Sequence, residues 1–406
     1  MIRPFVKLCW LVVLGTGRII RLYLGGDRRR AVEEARLVAI VIHDDFVQLA
    51  AALQRLLRFR PSPDPNIDRI LIVKLDRIGD MVCTTPVFDA LKASFPKARL
   101  DVVGHPVPLR LLTGDERIGE RIPYASSLYH EPTGGAAETG RLSVVLRILR
   151  RRYPLVVYLR GSFPFLLLGT TSHLAAAKFV KGEPVITRYL KPVEQMVGPI
   201  SHRQPRLHVD PDARHLVERL LAVSGKAVEP RIAIHAVAGA VTKMWPIERY
   251  AAVADELHQS YHASIHFFGS PGDRPVLEKI AGLCKYSHSY HYALGLDQVV
   301  AAFSVCDVFI GNDSGLAHVA AGVGTPIVVP WGSVNLEMAQ PTAPAGRRMI
   351  LYRDVPCRAT CPETHCVNEQ ALECLTRITV GDVVDAARQV LARRTGVKHE
   401  SALSRA

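Results

Sequence analysis

From Arg69 onward, short unbroken apolar runs alternate with longer stretches in which apolar residues recur every three or four positions. Ile70 to Val73, Arg99 to Val103 and Leu155 to Tyr158 are runs of the first kind, followed by Arg231 to His235, Ser264 to Gly269, Asp307 to Gly311 and Ile327 to Pro330. Such runs suit strands of a parallel sheet, which are buried on both faces because helices cover each side. Met81 to Phe95, Ile247 to Tyr261 and Ser314 to Gly322 carry the helical spacing between them. The alternation predicts an α/β protein made of two Rossmann-like domains with a cleft between them. Around Gln204 to Asp212 the chain turns polar and proline-containing, and the second series starts there.

The first sixty residues follow another pattern. Phe5, Leu8, Trp10, Leu11, Val12, Ile19, Ile20, Leu22 and Leu24 are interleaved with Lys7, Arg18 and Arg21, which predicts a basic amphipathic helix. Val32 to Arg58 continues as helix until Pro61-Ser62-Pro63-Asp64-Pro65-Asn66 breaks it. The apolar run Leu8 to Gly17 is about half of the ~20 residues a bilayer span requires. No small-x-small cleavage site follows it, so neither a transmembrane helix nor a signal peptide is expected. Two longer uncharged runs, Gly161 to Ala177 and Gly315 to Leu336, are interrupted by Pro164 and Gly169 and by Pro326 and Pro330, and read as buried soluble structure.

Charge changes this picture through its placement. The 406 residues hold 51 Lys and Arg against 38 Asp and Glu, a net of +13. Residues 1 to 30 carry seven basic side chains against Asp27, and residues 141 to 160 carry six arginines and no acid, so the remainder is close to neutral. That distribution argues against nucleic acid as a partner. It predicts two basic patches facing an anionic membrane surface, with packing on the protein body, internal ion pairs or acidic acceptor groups as the alternatives.

Cysteines fall into two groups. Cys9, Cys83, Cys284 and Cys306 are scattered, whereas Cys357, Cys361, Cys366 and Cys374 form C-x3-C-x4-C-x7-C, with His365 beside the third. In a reducing cytoplasm this cluster is either a structural zinc site or a set of packed thiols.

Three segments could carry chemistry. In Ile70 to Pro86 a buried strand feeds a turn, Leu75 to Asp80, with Gly79 giving close backbone approach and Asp80 at a helix start, where a carboxylate either caps the helix or acts as a base. In Ile232 to Tyr250 the small-residue loop Ala236 to Ala240 precedes Lys243 and Trp245-Pro246, and such a lysine can reach a diphosphate. In Val308 to Pro326 a strand ends at Gly311 and Asp313 is the expected N-cap. The amides of Ser314, Gly315 and Leu316 then point out of a helix N-terminus toward an anion, with His318 one turn in. Asp210-Pro211-Asp212 reads as a helix start in preference to a metal site.

In this order the segments resemble glycosyltransferase family 9, the ADP-heptose:lipopolysaccharide heptosyltransferases and their relatives, over roughly Arg69 to Val390. KLDRIGDMVCTTP looks like the family's N-terminal strand–loop–helix, KMWPIERYAAVADEL its Lys-x-Trp-Pro segment, and GNDSGLAHVAAGVGTP its Asp-Ser/Thr-Gly-x-x-His segment. The resemblance implies a GT-B fold and inverting transfer from a nucleotide-diphosphate sugar, heptose first, without a metal cofactor. It implies Asp80 as base, Lys243 on the diphosphate, and Asp313, Ser314, Gly315, Leu316 and His318 in the donor loop, with Gly79 and Thr84 in a loop near the acceptor. The acceptor would be a lipopolysaccharide core or another lipid-linked glycan, reached from the cytoplasmic face of the inner membrane. A sugar-nucleotide epimerase of similar fold and an inactive sugar-nucleotide-binding scaffold are the alternatives. The expected organisation is a helical extension (1–66), an acceptor domain (67–205), a nucleotide-sugar domain (206–378), a C-terminal helix (379–395) and a tail (396–406).

Overall fold

The computed structural model describes residues 66–124, 141–160, 173–176, 182–221, 230–332, 335–361 and 365–395. The amphipathic N-terminal segment, most of the Gly161 to Ala177 run and the tail lie outside the described residues. Contacts divide the chain into two units: residues 1–77, 87–109 and 116–202 form the first, and residues 78–86, 110–115 and 203–406 the second. Among the described residues no helix is long and apolar enough to cross a membrane.

The first unit holds a five-stranded parallel sheet, ordered β3-β2-β1-β4-β5. Its strands are β1 (Arg69–Lys74), β2 (Arg99–Gly104), β3 (Ile118–Pro123), β4 (Leu155–Arg160) and β5 (His173–Ala176). Leu71, Val73, Val103, Val156 and Tyr158 pack with Val145 and Ile148 of the helix Arg141–Arg151. That helix keeps Arg147 and Arg150 exposed, but Arg151 bonds Glu120, and Arg147 stands 3.9 Å from the same carboxylate. Part of the expected basic patch is therefore paired internally.

The second unit holds a six-stranded parallel sheet, ordered β11-β10-β9-β6-β7-β8. Here β6 is Arg231–His235, β7 Ser264–Phe268, β8 Ser289–His291, β9 Val308–Gly311, β10 Ile327–Pro330 and β11 Arg348–Leu351. Ile232, Ile234, Phe267, Ile310 and Val328 form its core with Tyr250, Val253 and Leu257 of helix Ile247–Tyr261 and with Val383, Ala387 and Val390 of helix Val380–Thr395. The four strands that the apolar pattern did not announce are β3, β5, β8 and β11, the two edges of each sheet. An edge strand is covered on fewer sides and has no need of a continuous apolar run: in β3 only Ile122 is buried, and β8 has no buried residue.

Asn312, immediately after β9, ties two loops of the second unit together. Its Oδ1 accepts the backbone N–H of Trp245 at 2.9 Å and the hydroxyl of Tyr250 at 2.8 Å, all three side chains being buried. Asn312→Ala is expected to lower stability by about 2–4 kcal/mol, since both donors stay buried without an acceptor, whereas Tyr250→Phe loses about 1 kcal/mol. Urea midpoints for the two variants check this order; equal midpoints would remove the bridging role.

Candidate functional site

β6 and β9 lie side by side, yet the chain runs from β6 outward through β7 to β8, and from β9 outward in the other direction through β10 to β11. This is a topological switch point, where loops leaving the carboxyl ends of adjacent strands diverge and leave a crevice for ligands. The register places His235 opposite Gly311, so the two loops start together. The β6 loop continues into a 3-10 turn, Val241–Lys243, held by the Lys243 amide donating to Ala240 O at 3.0 Å. Lys243 Nζ then lies 2.8 Å from Asp313 Oδ2. Two residues 70 positions apart in sequence are thus paired.

Asp313 is not the N-cap. Ser314 occupies that position with an extended backbone (φ −147°, ψ 165°) and no side-chain capping bond, while the Asp313 carboxylate is engaged by Lys243. The helix that follows, Gly315–Gly322, starts with Gly315 and Leu316, whose amides have no acceptor within the helix. Among the described residues the Ser314 hydroxyl, itself buried, has no hydrogen-bond partner.

Gly79 and Thr84 are not in a loop. The helix starts at Ile78 and runs to Ser94, with Arg77 as N-cap, so the expected turn is shorter by three residues. Thr84 is fully buried and its hydroxyl donates to Asp80 O at 2.8 Å, a bond internal to the helix that removes it from any acceptor surface. Thr85 donates to Val82 O at 2.9 Å, supplying the bond that Pro86 cannot make four residues on.

The start of this helix packs against the start of helix Gly315–Gly322. A Cβ at Gly79 would stand 3.1 Å from the His318 ring, and one at Gly315 would stand 2.9 Å from Ile78 Cβ. Glycine at both positions lets two helix N-termini meet, which concentrates partial positive charge beside Lys243. Asp80 lies in the first turn of its helix, close enough to act electrostatically on His318, and Cys83 Sγ is 3.5 Å from His318 Nδ1. Burial holds the His318 imidazole below its ordinary pKa and Lys243 pushes the same way, while Asp313 and Asp80 oppose. The structure therefore brings Asp80, Lys243, Asp313, Ser314, Gly315, Leu316 and His318 into one region of the second unit, and leaves Thr84 in the helix interior.

Sequence reasoning passed over two groups. Asn312 gave no signal beyond its place before Asp313. In the first unit, Lys74 at the end of β1 is wholly buried, lies 2.6 Å from Asp76 and sits over the Tyr189 ring at 3.8 Å. Its register partner across the sheet is Arg160, at the end of β4, and Arg188 is buried on helix Val185–Val197. β1 and β4 form the switch point of this first sheet, and a lysine and an arginine closing two apolar runs were the available signal.

Two sets of side chains have metal-binding chemistry. Cys357, Cys361, Cys366 and Cys374 line one small cavity. Among the described residues, Asp255, Cys284 and His288 form a trio with ligand atoms within 4.8 Å of one another, but Asp255 already accepts the amides of Lys285 and Tyr286 as well as a His288 bond. That trio is a loop clamp. Asp210 caps the helix Pro211–Leu221 by accepting from Asp212 N and Ala213 N, as the helix-start reading requires.

The profile of glycosyltransferase family 9 (heptosyltransferase) matches residues 169–370. The chain is a family 9 heptosyltransferase-like protein. It is 26% identical over 318 residues to lipooligosaccharide heptosyltransferase 2 of Haemophilus ducreyi, covering 70% of this chain and 88% of that one. The fold matches a family 9 glycosyl transferase from Veillonella parvula with a TM-score of 0.69, covering 82% of this chain and 99% of that one at 20% identity. It also matches the ADP-heptose lps heptosyltransferase II of E. coli with a TM-score of 0.65, covering 80% and 99% at 20% identity. The chain is a glycosyltransferase with two parallel sheets, and the epimerase alternative is the less supported.

The lowered His318 pKa fixes a sign. The unfolded chain takes up the histidine proton near pH 6.5 while the folded chain does not, so this residue's contribution to stability is lost as pH falls below about 6.5. An NMR titration is expected to place the His318 midpoint below 6.5, and His318→Gln to flatten the acid limb of stability. A midpoint at or above 6.5 would remove the desolvated environment.

Proposed function

We propose that this chain transfers a heptosyl unit from an ADP-heptose-like donor to a hydroxyl of a lipopolysaccharide core acceptor, with inversion and without a catalytic metal. The observation that carries this reading is the pairing of Lys243 with Asp313 beside the two abutting helix N-termini. Diphosphate is the leaving group in such a transfer. As the bond from the anomeric carbon to the phosphate oxygen breaks, the electron pair moves to the diphosphate. Lys243, the Gly315 and Leu316 amides and the Ser314 hydroxyl stabilise that charge. The acceptor oxygen forms the new bond to the same carbon from the opposite face and gives its proton to the Asp80 carboxylate. His318, neutral near pH 7, donates or accepts a hydrogen bond without adding charge. In the donor-free protein Asp313 holds Lys243 in place, and the incoming diphosphate shares it. Lys74 and Arg160, in register at the ends of β1 and β4, give the first unit cationic side chains suited to acidic substituents on an acceptor.

With synthetic ADP-heptose and a deacylated core oligosaccharide, the expected outcome is acceptor-dependent ADP release and a product heavier by one heptosyl unit, with no divalent cation added to the assay. Asp80→Asn is expected to lower kcat by ~10²–10⁴-fold with ADP affinity nearly unchanged, because only proton removal is lost. Lys243→Ala is expected to weaken ADP binding and turnover together, since the ammonium acts in ground and transition states alike. Near-normal turnover in the first variant eliminates Asp80 as base, and unaltered ADP affinity in the second eliminates the lysine from the diphosphate site. Conversion of donor without acceptor would favour the epimerase.

The enzyme is further read as peripheral on an anionic leaflet, through residues 1 to 30 and the exposed Arg150 and Arg152. Each basic side chain near such a surface adds up to ~1 kcal/mol and is screened over roughly 8–10 Å. The full chain is expected to co-sediment with anionic phospholipid vesicles in preference to neutral ones, less so at high salt. Equal binding to both vesicle types refutes this docking.

A further inference from the structure

We propose that Cys357, Cys361, Cys366 and Cys374 are the four ligands of one structural zinc ion, and that the knot it closes braces the turn presenting Lys243. All four side chains line a single cavity of about 10 Å³, room for one atom-sized guest, and none of them is in a disulfide. Two of the sulfurs already receive the N–H bonds that favour thiolates: the Leu372 amide donates to Cys366 Sγ at 3.2 Å, and Asn368 Nδ2 to Cys357 Sγ at 3.5 Å. Leu372 adopts the left-handed conformation (φ 58°), a backbone state costly for a leucine, and it lies between Cys366 and Cys374 in the turn that returns the chain to the cavity.

The segment between β11 and helix Val380–Thr395 contains two single-turn helical pieces, Pro356–Thr360 and Glu373–Thr376, and no strand among its described residues. Little regular hydrogen bonding holds it, which is the situation in which a four-thiolate ion contributes folding free energy directly. Zn–S bonds of ~2.3 Å arranged tetrahedrally need sulfurs ~3.8 Å apart. Among the described residues the trio of ligand atoms within 4.8 Å of one another is Asp255, Cys284 and His288, so the four sulfurs must close inward to take up the ion. Soft sulfur ligands in this number select zinc or iron over magnesium or calcium.

The cavity also touches Thr242, the residue before Lys243. Behind it, Gly332 leaves no space: a Cβ there would lie 2.4 Å from Thr242 O, and Arg358 donates to Gly332 O at 3.0 Å. The cysteine knot, Arg358, Gly332 and Thr242 thus form one packed path to the turn. The bracing role rests on the donor reading above, whereas the ion count does not, so their failures can be told apart.

Elemental analysis of the full chain, purified under thiol reductant, is expected to give about one zinc per chain. The Cys361→Ser/Cys366→Ser variant is expected to lose it and the Cys284→Ser variant to keep it. Should the double variant not fold, cobalt added to chelator-stripped wild type serves instead, with thiolate-to-cobalt charge-transfer absorption expected. Zinc removal is expected to weaken ADP binding several-fold. A metal-free chain with four freely titrating thiols, iron in place of zinc, a disulfide within the quartet, or zinc lost on Cys284→Ser would each overturn the site. Unchanged ADP affinity after zinc removal would overturn the brace alone.

Discussion

The parallel pairing of β6 with β9 governs the second unit of this enzyme. Because His235 lies opposite Gly311, the chain leaves both strands at the same height and on the same edge of the sheet. Everything proposed for donor recognition follows from those two departures: the turn ending at Lys243, the Asp313 carboxylate, and the helix start at Gly315. Asn312 then fixes the angle between them, since one carbonyl oxygen serves both the Trp245 amide and the Tyr250 hydroxyl. A buried acceptor shared by two buried donors admits little movement, because shifting either loop strands a polar group away from water.

The electrostatic logic is a balance of permanent and mobile charge. Two helix N-termini are fixed sources of positive potential, kept in contact by glycine at 79 and 315. Lys243 is the mobile counterpart, held by Asp313 at 2.8 Å. A lysine without its carboxylate in a half-buried site would lose part of its hydration with nothing in return, so the ion pair keeps the ammonium positioned. His318 fits the same scheme by staying neutral, since burial disfavours a second full cation beside Lys243.

The first sheet repeats the arrangement with different chemistry. Its switch point lies between β1 and β4, where Lys74 and Arg160 end their strands in register. Burial of Lys74 against Asp76 and the Tyr189 ring makes this a built charge cluster, unlike the solvated arginines of helix Arg141–Arg151. Charge near the middle of a sheet edge is costly to bury, and a fold that keeps it there has a ligand-facing reason or a structural one. The distinction is drawn by what the cluster binds.

Central strands, long amphipathic helices and the three motif segments could be read along the chain, because burial on two faces demands unbroken apolar residues and a helix face demands their recurrence. Ile327–Pro330 and Ile247–Tyr261 fall where those patterns put them. Edge strands such as β3 and β8 could not, since a strand covered on fewer sides tolerates polar residues throughout. At the site, residue types and their order named Asp80, Lys243, Asp313 and His318, but the sequence assigned Asp313 to a cap and Thr84 to a loop. Both were local expectations, drawn from neighbours along the chain. The tertiary structure overruled them through partners that no local pattern contains, Lys243 seventy residues earlier for Asp313 and the helix interior around Asp80 O for Thr84. Sequence periodicity reports how much of each residue is covered; which residues meet is decided by strand order, and strand order is a property of the folded sheet alone.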